Sequence, residues 1–354
     1  MKASPMATQS TGPSSARIWT SFLTAATVTF CTFVLICSGA LVTSHAAGMA
    51  VPDWPNTFGY NMFLFPIERW VGGIMYEHVH RLIASGIGLL TILLAVVLFC
   101  AESRGWVKKL GVIAVVAVIL QGIMGGLRVT LIKNEIGIFH GMFAQSFFVL
   151  LGVITLATSP WFRSMRWSND RWAAGSRWLA VAATVAILFQ LGTAATMRHA
   201  HAGLSIPDFP TAYGKVWPDT DAATISRINE QRLAATQPPT SAALILLQMT
   251  HRLGAVLVLV LIGWFTWKMW TGAAIPRSLK AWSLVWSVMV LGQIGLGAWT
   301  IWSNKAADVA TAHVALGALM LLLGGMLSFR LIFGHFAARR ELLATENRPI
   351  MAAA

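Results

Sequence analysis

The 354-residue chain is poor in charge and in cysteine. Only 11% of its residues are charged and 56% are hydrophobic, which indicates a membrane protein with many spans rather than a soluble domain. Cys31, Cys37 and Cys100 are too few for a disulfide framework or a metal cluster, since a six-residue spacing puts the first two on different helix faces. We therefore interpret the cysteines as small apolar residues.

The apolar residues form blocks that are long enough to cross a membrane. About 20 apolar residues span the hydrocarbon, and backbone groups in lipid must be paired, so the blocks are predicted to be helices. The first block is too long for the apolar region of a signal peptide and is interpreted as the first helix. The predicted spans are residues 18–43, 78–100, 110–131, 138–158, 176–197, 242–269, 279–302 and 309–333.

Acidic residues are scarce, with 13 against 26 basic ones, and the net charge of +13 first suggests a nucleic-acid partner. The placement of the charges argues against one. If the N-terminus is cytoplasmic, that side has 16 basic and four acidic residues, a net +12, and the outer side has 10 basic and nine acidic residues, a net +1. The positive-inside rule then predicts that both termini are cytoplasmic, in a bacterial-type inner (cytoplasmic) membrane, with no nucleic-acid surface.

One phrase occurs twice, as VPDWP at residues 51–55 and as IPDFP at residues 206–210. Further along, YEHVHRL aligns with LQMTHRL if the second outer loop contains an insertion of 16 residues. We predict an all-α membrane protein with eight transmembrane helices in two tandem four-helix bundles, related by a pseudo-twofold axis. The predicted segments are an N-terminal tail (1–17), an N-terminal half (18–159), a linker (160–177), a C-terminal half (178–333) and a C-terminal tail (334–354), with both tails and the linker cytoplasmic.

The two Pro-Asp phrases are predicted to lie in outer loops. Prolines on both sides of an aspartate restrict the backbone and prevent the helix from continuing, so each loop should form a rigid cap over its bundle. A sharper hypothesis is that each cap closes a ligand pocket at the outer end of its bundle.

Four of the nine histidines are predicted to begin the even-numbered spans on the outer side. In the repeat, His80 corresponds to His251 and His140 corresponds to His313. Each half is therefore predicted to have two histidines at similar depth. Facing imidazoles across a four-helix bundle can supply both axial nitrogens of a six-coordinate haem iron. A single histidine near a helix end is usually an interfacial residue, but four at repeat-related positions favour ligation of haem iron.

The two halves differ beside these histidines. Glu77 lies three residues before His80, on the same helix face, and the matching residue in the other half is Gln248. A carboxylate can exchange protons or stabilise a developing cation, so the N-terminal half is predicted to be catalytic and the C-terminal half to hold a permanent cofactor. A helix-end role for Glu77 stays open. Arg81 and Arg252 could contact haem propionates or anchor helix ends.

The remaining histidines carry less weight. His78 lies on a different helix face from His80. His45, His199 and His201 are placed at the entrances of the outer loops, where RHAHAG could hold copper or zinc, although loop histidines more often hold no metal. His335 is predicted to be cytoplasmic.

The chain resembles the haem A synthase family, which serves aa3-type cytochrome oxidases. The resemblance rests on the eight spans, the PDWP loop and the phrases YEHVHRL, FHG, MTHRLG and TAHVALG. The resemblance covers the chain from about residue 20 to residue 333. It implies oxidation of the C8 methyl group of haem o to the formyl group of haem A, through a hydroxymethyl group and a second hydroxylation. It also implies haem b held by His251 and His313, the substrate haem o beside His80 and His140, a catalytic Glu77, and functional proximity to the farnesyltransferase that makes haem o.

One departure and two alternatives accompany the resemblance. Some bacterial members carry a cysteine pair in the first outer loop, whereas this chain has no cysteine between Ser44 and Glu77, so a redox role for such a pair is excluded. A non-catalytic bis-His di-haem cytochrome is an alternative, opposed only by the contrast of Glu77 with Gln248. A solute transporter would need broken helices and paired charges within the membrane, which the sequence lacks. The residues do not identify the electron donor.

Overall fold

The computed structural model describes residues 14–165 and 173–346, and the regular structure in these ranges is helical apart from two isolated bridges. Eight of its helices are long and apolar enough to span a membrane, as predicted. The α-helices are α1 (Ser15–Ser44), α2 (Gly72–Ala101), α3 (Gly105–Thr130), α4 (Asn134–Thr158), α5 (Pro160–Arg163), α6 (Ala173–His199), α7 (Ala222–Ala234), α8 (Ala242–Thr271), α9 (Arg277–Trp302) and α10 (Ala307–Glu346).

Several helices extend beyond the apolar blocks that predicted them. Helix α2 begins six residues before the predicted span, and α10 runs to Glu346, through part of the predicted tail. No proline interrupts residues 307–346, and outside the hydrocarbon water can pair with the backbone, so the helix continues after the apolar run ends. The short α5 lies in the predicted linker, and α7 lies in the long second loop. Residues 1–13, 166–172 and 347–354, which include parts of the predicted tails and linker, lie outside the described ranges.

The spanning helices form two rings of four. In the N-terminal half α1 and α3 each pack against α2 and α4, and in the C-terminal half α6 and α9 each pack against α8 and α10. The halves meet where α1 packs on α10, α6 on α4, and α4 on α10. Exchanging α1 with α6 and α4 with α10 leaves this pattern unchanged, which is consistent with the predicted pseudo-twofold axis. We call the side with the long α1–α2 and α6–α8 connections the loop side, and the other the termini side.

The central contact between α4 and α10 is reciprocal. Gly152 of α4 makes room for the side chain of Leu322, and Gly325 of α10 makes room for the side chain of Val149. The two glycines are 173 positions apart, and so are the two aliphatic residues. A self-complementary contact of this kind is what a twofold interface requires.

Repeat-related hydrogen bonds also join helices within each half. Thr29 of α1 and Thr155 of α4 are joined through their hydroxyls at 2.9 Å, and Thr184 of α6 and Ser328 of α10 at 3.1 Å. A hydroxyl pair inside a bundle satisfies groups that lipid cannot, so it favours one arrangement of the two helices.

One polar link between the halves has no twofold mate. Arg198, near the end of α6, donates through Nη2 to the carbonyl of Ala40 at 3.1 Å and to the hydroxyl of Ser44 at 3.0 Å, both in α1. Its counterpart in α1 is Thr43, whose hydroxyl donates to the carbonyl of Gly39 in its own helix at 3.0 Å. The C-terminal half therefore contacts the N-terminal half through Arg198, whereas the corresponding residue Thr43 hydrogen-bonds only within α1.

A buried ion network closes the termini side of the N-terminal half. The Glu102 carboxylate, between α2 and α3, is fully buried, accepts from Arg104 Nη2 at 2.8 Å and pairs with Arg163 of α5. Arg104 also donates to the carbonyl of Ala157 at 2.8 Å. Burial alone would raise the pKa of Glu102, but the hydrogen bonds and charges of the two arginines lower it to about 2. The corresponding residue in the C-terminal half is Ala273.

Candidate functional site

Each Pro-Asp phrase folds into a turn closed by its own aspartate. Asp53 accepts backbone N–H groups from Phe58 and Gly59, both at 2.8 Å. Burial works to raise the pKa of Asp53, but these donors and the Arg81 charge lower it below its ordinary value. The φ of Gly59 is +77°, a conformation that glycine adopts without strain. The second loop repeats the turn, with Asp208 accepting from Tyr213 at 2.7 Å and Gly214 at 2.9 Å.

In the N-terminal half, Glu77 and Arg81 of α2 attach the loop to the bundle. The backbone N–H of Val51 donates to Glu77 Oε2 at 3.0 Å. The guanidinium of Arg81 donates to the carbonyls of Val51 at 2.9 Å, Asp53 at 2.7 Å and Asn56 at 3.1 Å. The Arg81 guanidinium also pairs with Glu77 Oε1 at 2.9 Å. Glu77 is therefore buried in the anchor of the loop and lies beyond the first turn of α2.

The C-terminal half makes the same anchor without a charge on its acceptor. The backbone N–H of Ile206 donates to Gln248 Oε1 at 2.7 Å, and Gln248 returns a bond to the carbonyl of Ile206 at 3.2 Å. Arg252 donates to the carbonyls of Asp208 at 2.6 Å and Thr211 at 2.8 Å. The anchor thus requires a hydrogen-bond acceptor at this position but does not require a carboxylate. The negative charge of Glu77 is a feature of the N-terminal pocket alone.

The loops also extend over the third helix of each half. The indole of Trp54 lies on Gly126 of α3, where a methyl group would collide with the ring. Phe209 meets Trp302 of α9 with ring centroids 6.3 Å apart. Each loop therefore contacts the second and third helices of its half, as expected for a cap.

The four candidate ligands lie inside their helices rather than at the first residue. His80 follows the start of α2 by eight residues, and His313 follows the start of α10 by six. At about 1.5 Å per residue these histidines lie roughly 9–12 Å from the helix ends. The prediction that the histidines begin the helices is therefore wrong, because each helix has six to nine residues on the loop side before its histidine. His80 and His251 follow their helix starts by eight and nine residues, and His140 and His313 both by six, which is consistent with the prediction of similar depth.

Glycines on neighbouring helices make room for three of the imidazoles. A methyl group on any of these glycines would lie about as close as atoms can approach, so a larger residue would displace the ring. The distances from such a methyl group to the imidazole Cε1 atom are 3.0 Å for Gly39 and His80, 3.1 Å for Gly125 and His140, and 3.2 Å for Gly297 and His313.

Side-chain amides hydrogen-bond to the backbone at three of the candidate ligand positions. Gln121 donates to the carbonyl of His140 and Gln293 to that of His313, both at 2.9 Å. Gln190 of α6 donates to the carbonyl of His251 at 2.7 Å. Sequence analysis missed these glutamines, although Gln121 and Gln293 stand in the aligned phrases QGIMGGLRV and GQIGLGAWT. The Nδ1 atoms of His80, His140, His251 and His313 are buried and have no hydrogen-bond partner among the described residues.

The C-terminal pair has the spacing that a shared metal requires. The rings of His251 and His313 have centroids 6.5 Å apart and planes at 66°. Two metal–imidazole bonds of about 2 Å, with the size of the rings, place the centroids roughly 6 Å apart. The pair therefore fits an iron between its rings.

Comparisons with known proteins agree with this geometry. Residues 72–324 match the family model COX15-CtaA, described as cytochrome oxidase assembly protein, and this range contains all four histidines and Glu77. The chain belongs to this family. Three relatives named heme A synthase match most of the chain. They come from Shewanella oneidensis (24% identity; 82% of this chain, 90% of the relative), Lysinibacillus sphaericus (24%; 88% and 93%) and Shouchella clausii (26%; 82% and 90%).

His78 belongs to the first cap. It is buried, with Nδ1 3.2 Å from the hydroxyl of Thr57, and its ring lies 5.1 Å from Phe65 and 4.7 Å from Trp70. The corresponding residue of the C-terminal half is Met249, which is also buried. His78 therefore occupies an apolar packing position under the first loop, on a different helix face from His80, as predicted.

The other histidines and the cysteines of this family member are not drawn together. His45 stacks on Tyr76 with ring centroids 4.1 Å apart. His199 ends α6 and lies next to Gly137 of α4. Within residues 14–165 and 173–346, no three His, Cys, Asp or Glu residues are grouped closely enough for a metal ion. The three cysteines are free thiols.

Proposed function

We propose that this chain is a haem A synthase, which oxidises the methyl group at C8 of haem o to a formyl group. One observation carries the proposal: two repeat-related pockets have the same ligand framework, and only one has a carboxylate beside it. Membership of the cytochrome oxidase assembly family and the names of the relatives support it.

The C-terminal half is proposed to hold haem b as its permanent cofactor. His251 and His313 would be the axial ligands, and the 6.5 Å between their centroids supports this assignment. When bound there, haem b supplies a one-electron redox centre. Gln190 and Gln293 would hold the helix backbone at the two ligands, and Gln248 would hold the cap without adding charge.

The N-terminal half is proposed to bind haem o, with His80 and His140 on either side of it. Glu77 lies one helical turn before His80, and its carboxylate is the one acid held in the cap anchor of this half. Oε1 and Oε2 could hold or release a proton, or stabilise positive charge that develops on the substrate. The neutral Gln248 cannot take either role in the other pocket. We therefore assign catalysis to the N-terminal half.

The proposed partners follow from this chemistry. Haem o comes from a farnesyltransferase, haem o synthase, which we propose as a functional partner in the same membrane. An electron donor is also required, and no residue identifies it. Arg81 and Arg252 stay candidates for propionate contacts, although both already donate to loop carbonyls.

The membrane and orientation are part of the proposal. Eight apolar helices make the chain a multi-pass membrane protein. The side with the termini has a net charge of +12 and the loop side has a net charge of +1. This difference supports an inner membrane location with the termini side in the cytoplasm. A reporter fused after Ala354 should behave as cytoplasmic, and a tag inserted near Thr236 should be accessible from outside. Reversed accessibility would contradict this orientation.

The direct test is to extract the haems from cells that express this chain together with a source of haem o, and to analyse them by mass. Haem A, or the hydroxymethyl intermediate, should form only when the chain is present. A di-haem cytochrome that only transfers electrons would carry haem and leave haem o unchanged. That result would contradict the proposed function.

A further inference from the structure

Arg128 is a cation in a membrane-spanning helix, and it has no hydrogen bond or ion pair with the residues that the structure describes. It lies two residues before the end of α3, on the loop side, and is half-buried. Its Nε atom is buried without a hydrogen bond, and no carboxylate among residues 14–165 and 173–346 forms an ion pair with it. By contrast, the guanidinium of Arg81, at the same end of the bundle, has four acceptors.

The guanidinium of Arg128 lies beside the N-terminal pocket. A methyl group on Gly48, just before the PDWP phrase, would lie 2.5 Å from its Nη2 atom, and one on Gly137 of α4 would lie 2.9 Å from its Nε atom. The charge is within electrostatic range of His80, His140 and Glu77. Arg128 therefore lies next to Gly48 in the first loop and next to Gly137, three residues before His140 in α4.

The C-terminal half has no arginine at this position, although the side chain of Lys305 lies beside Gly203, which corresponds to Gly48. The aligned residue of α9 is Thr300, and the C-terminal half builds the same ring of helices and the same cap with it. A charged side chain in a membrane helix is costly and usually marks a functional site. A partly buried guanidinium without an anion gains stability when a carboxylate binds to it.

We infer that Arg128 binds a propionate carboxylate of the haem substrate and thereby orients the porphyrin in the N-terminal pocket. The inference rests on the proposed function and extends it to a residue that positions the substrate. Arg81 is less suited to this contact, because its Nη donors already hold the loop and Glu77. Arg128 has its fork of N–H donors available, and this geometry matches a carboxylate.

The orientation has a consequence for the reaction. On haem o the methyl group that becomes the formyl group is next to a propionate side chain. Fixing the propionate therefore fixes which edge of the porphyrin faces the carboxylate of Glu77. A porphyrin rotated in its plane would present a different edge to Glu77, so the Arg128 contact would hold the propionate edge and its neighbouring methyl group in place.

The test compares the acid and ester forms of the substrate on the full-length protein that retains its haem b. Optical titration would measure the Kd of haem o and of haem o dimethyl ester for wild type, Arg128→Thr and Arg128→Lys. Threonine is the residue that the C-terminal half carries here, so Arg128→Thr should fold, and an unchanged haem b spectrum checks this. Thr300→Ser in the other half is the matched control.

Wild type should bind haem o about tenfold to a hundredfold more tightly than Arg128→Thr, as expected for a hydrogen bond to a charged group. Arg128→Lys should lie between the two, and all three proteins should bind the ester with similar, weaker affinity. Equal losses for acid and ester would show a structural role, and an unchanged Kd for haem o would show no contact. Either result overturns the inference, even where haem A is formed. If Arg128 strengthened binding of haem o but not of its dimethyl ester, and no haem A were formed, the inferred Arg128 contact would be supported. The proposed function would then be contradicted.

Discussion

The two halves share their framework and differ in their charges. Both have an aspartate-closed loop, an arginine that holds the loop by its carbonyls, and two histidines at similar depth on alternate helices. The N-terminal half alone has the carboxylate of Glu77 in the anchor and the guanidinium of Arg128 nearby. The C-terminal half has Gln248 and Thr300 at these positions. The shared residues are sufficient to form a pocket in each half. Catalysis is therefore expected to depend on the residues that differ between the halves.

The histidines provide the largest test of this comparison. Replacing His251 or His313 by alanine should abolish the tightly held low-spin haem b, because an axial ligand is lost. Replacing His80 or His140 should leave that spectrum in place and weaken binding of haem o. Optical spectra of the purified variants would measure both. Equal loss of haem b in all four variants would remove the division of labour between the halves.

Glu77→Gln should lower the yield of haem A by about 10² or more, since a positioned acid or base typically contributes that much to rate. The C-terminal half shows that glutamine at this position still holds the cap, so the variant should fold and keep its haem b. Haem o or the hydroxymethyl intermediate should accumulate, as measured by haem extraction.

The reciprocal change, Gln248→Glu, is the control for this prediction. It places a carboxylate in the pocket assigned to the cofactor and should leave turnover largely intact. A near-normal yield of haem A from Glu77→Gln would show that the carboxylate only anchors the loop. The di-haem cytochrome would then be the better description.

Glu102→Gln should destabilise the N-terminal half by about 3 kcal/mol, because two partly buried arginines lose their shared, fully buried anion. The folded-state pKa of Glu102 is lowered to about 2, so its contribution is complete above the ordinary carboxyl range and is lost as the pH falls towards 2. Thermal unfolding in detergent at several pH values would measure this. Asp219→Asn, which breaks the exposed pair with Lys215, should change little.

The caps should respond alike in the two halves, with the smallest effects. Asp53→Asn and Asp208→Asn should each weaken one loop turn, detected as faster hydrogen exchange of its amides. The pKa of each aspartate is lowered in the folded state, despite burial, by backbone donors, so this stabilisation is present at neutral pH and is lost as the pH falls through the lowered value. A loss confined to one half would show that the caps are not equivalent.

The sequence predicted the features that repeat along the chain. Eight spans follow from apolar length, since lipid leaves the backbone few alternatives to a helix. The duplication followed from two Pro-Asp phrases and two His-Arg pairs, and the caps and the paired depth of the histidines followed from the duplication. Ligation by these residues and the catalytic role of Glu77 stay predictions.

The features that sequence analysis missed depend on contacts between distant segments. The shared anchoring role of Glu77 and Gln248 involves backbone groups 26 and 42 residues away, which no local pattern reveals. The predicted helix ends were wrong because an apolar block marks only the part of a helix that lies in the hydrocarbon. The helix itself continues beyond that block. Arg128 stood in an aligned phrase opposite Thr300, so a comparison of charges between the repeats could have found it.

The one-sided link from Arg198 to α1 shows what fusing two copies into one chain permits. In a dimer of identical four-helix units the same residue would stand at both places, so an arginine would appear twice or not at all. A single chain can keep arginine at one place and Thr43 at the other. Covalent joining thus removes the requirement for identity, and each half becomes free to diverge while its neighbour keeps the shared architecture. Two identical chains could not have placed the carboxylate of Glu77 on one side and the amide of Gln248 on the other.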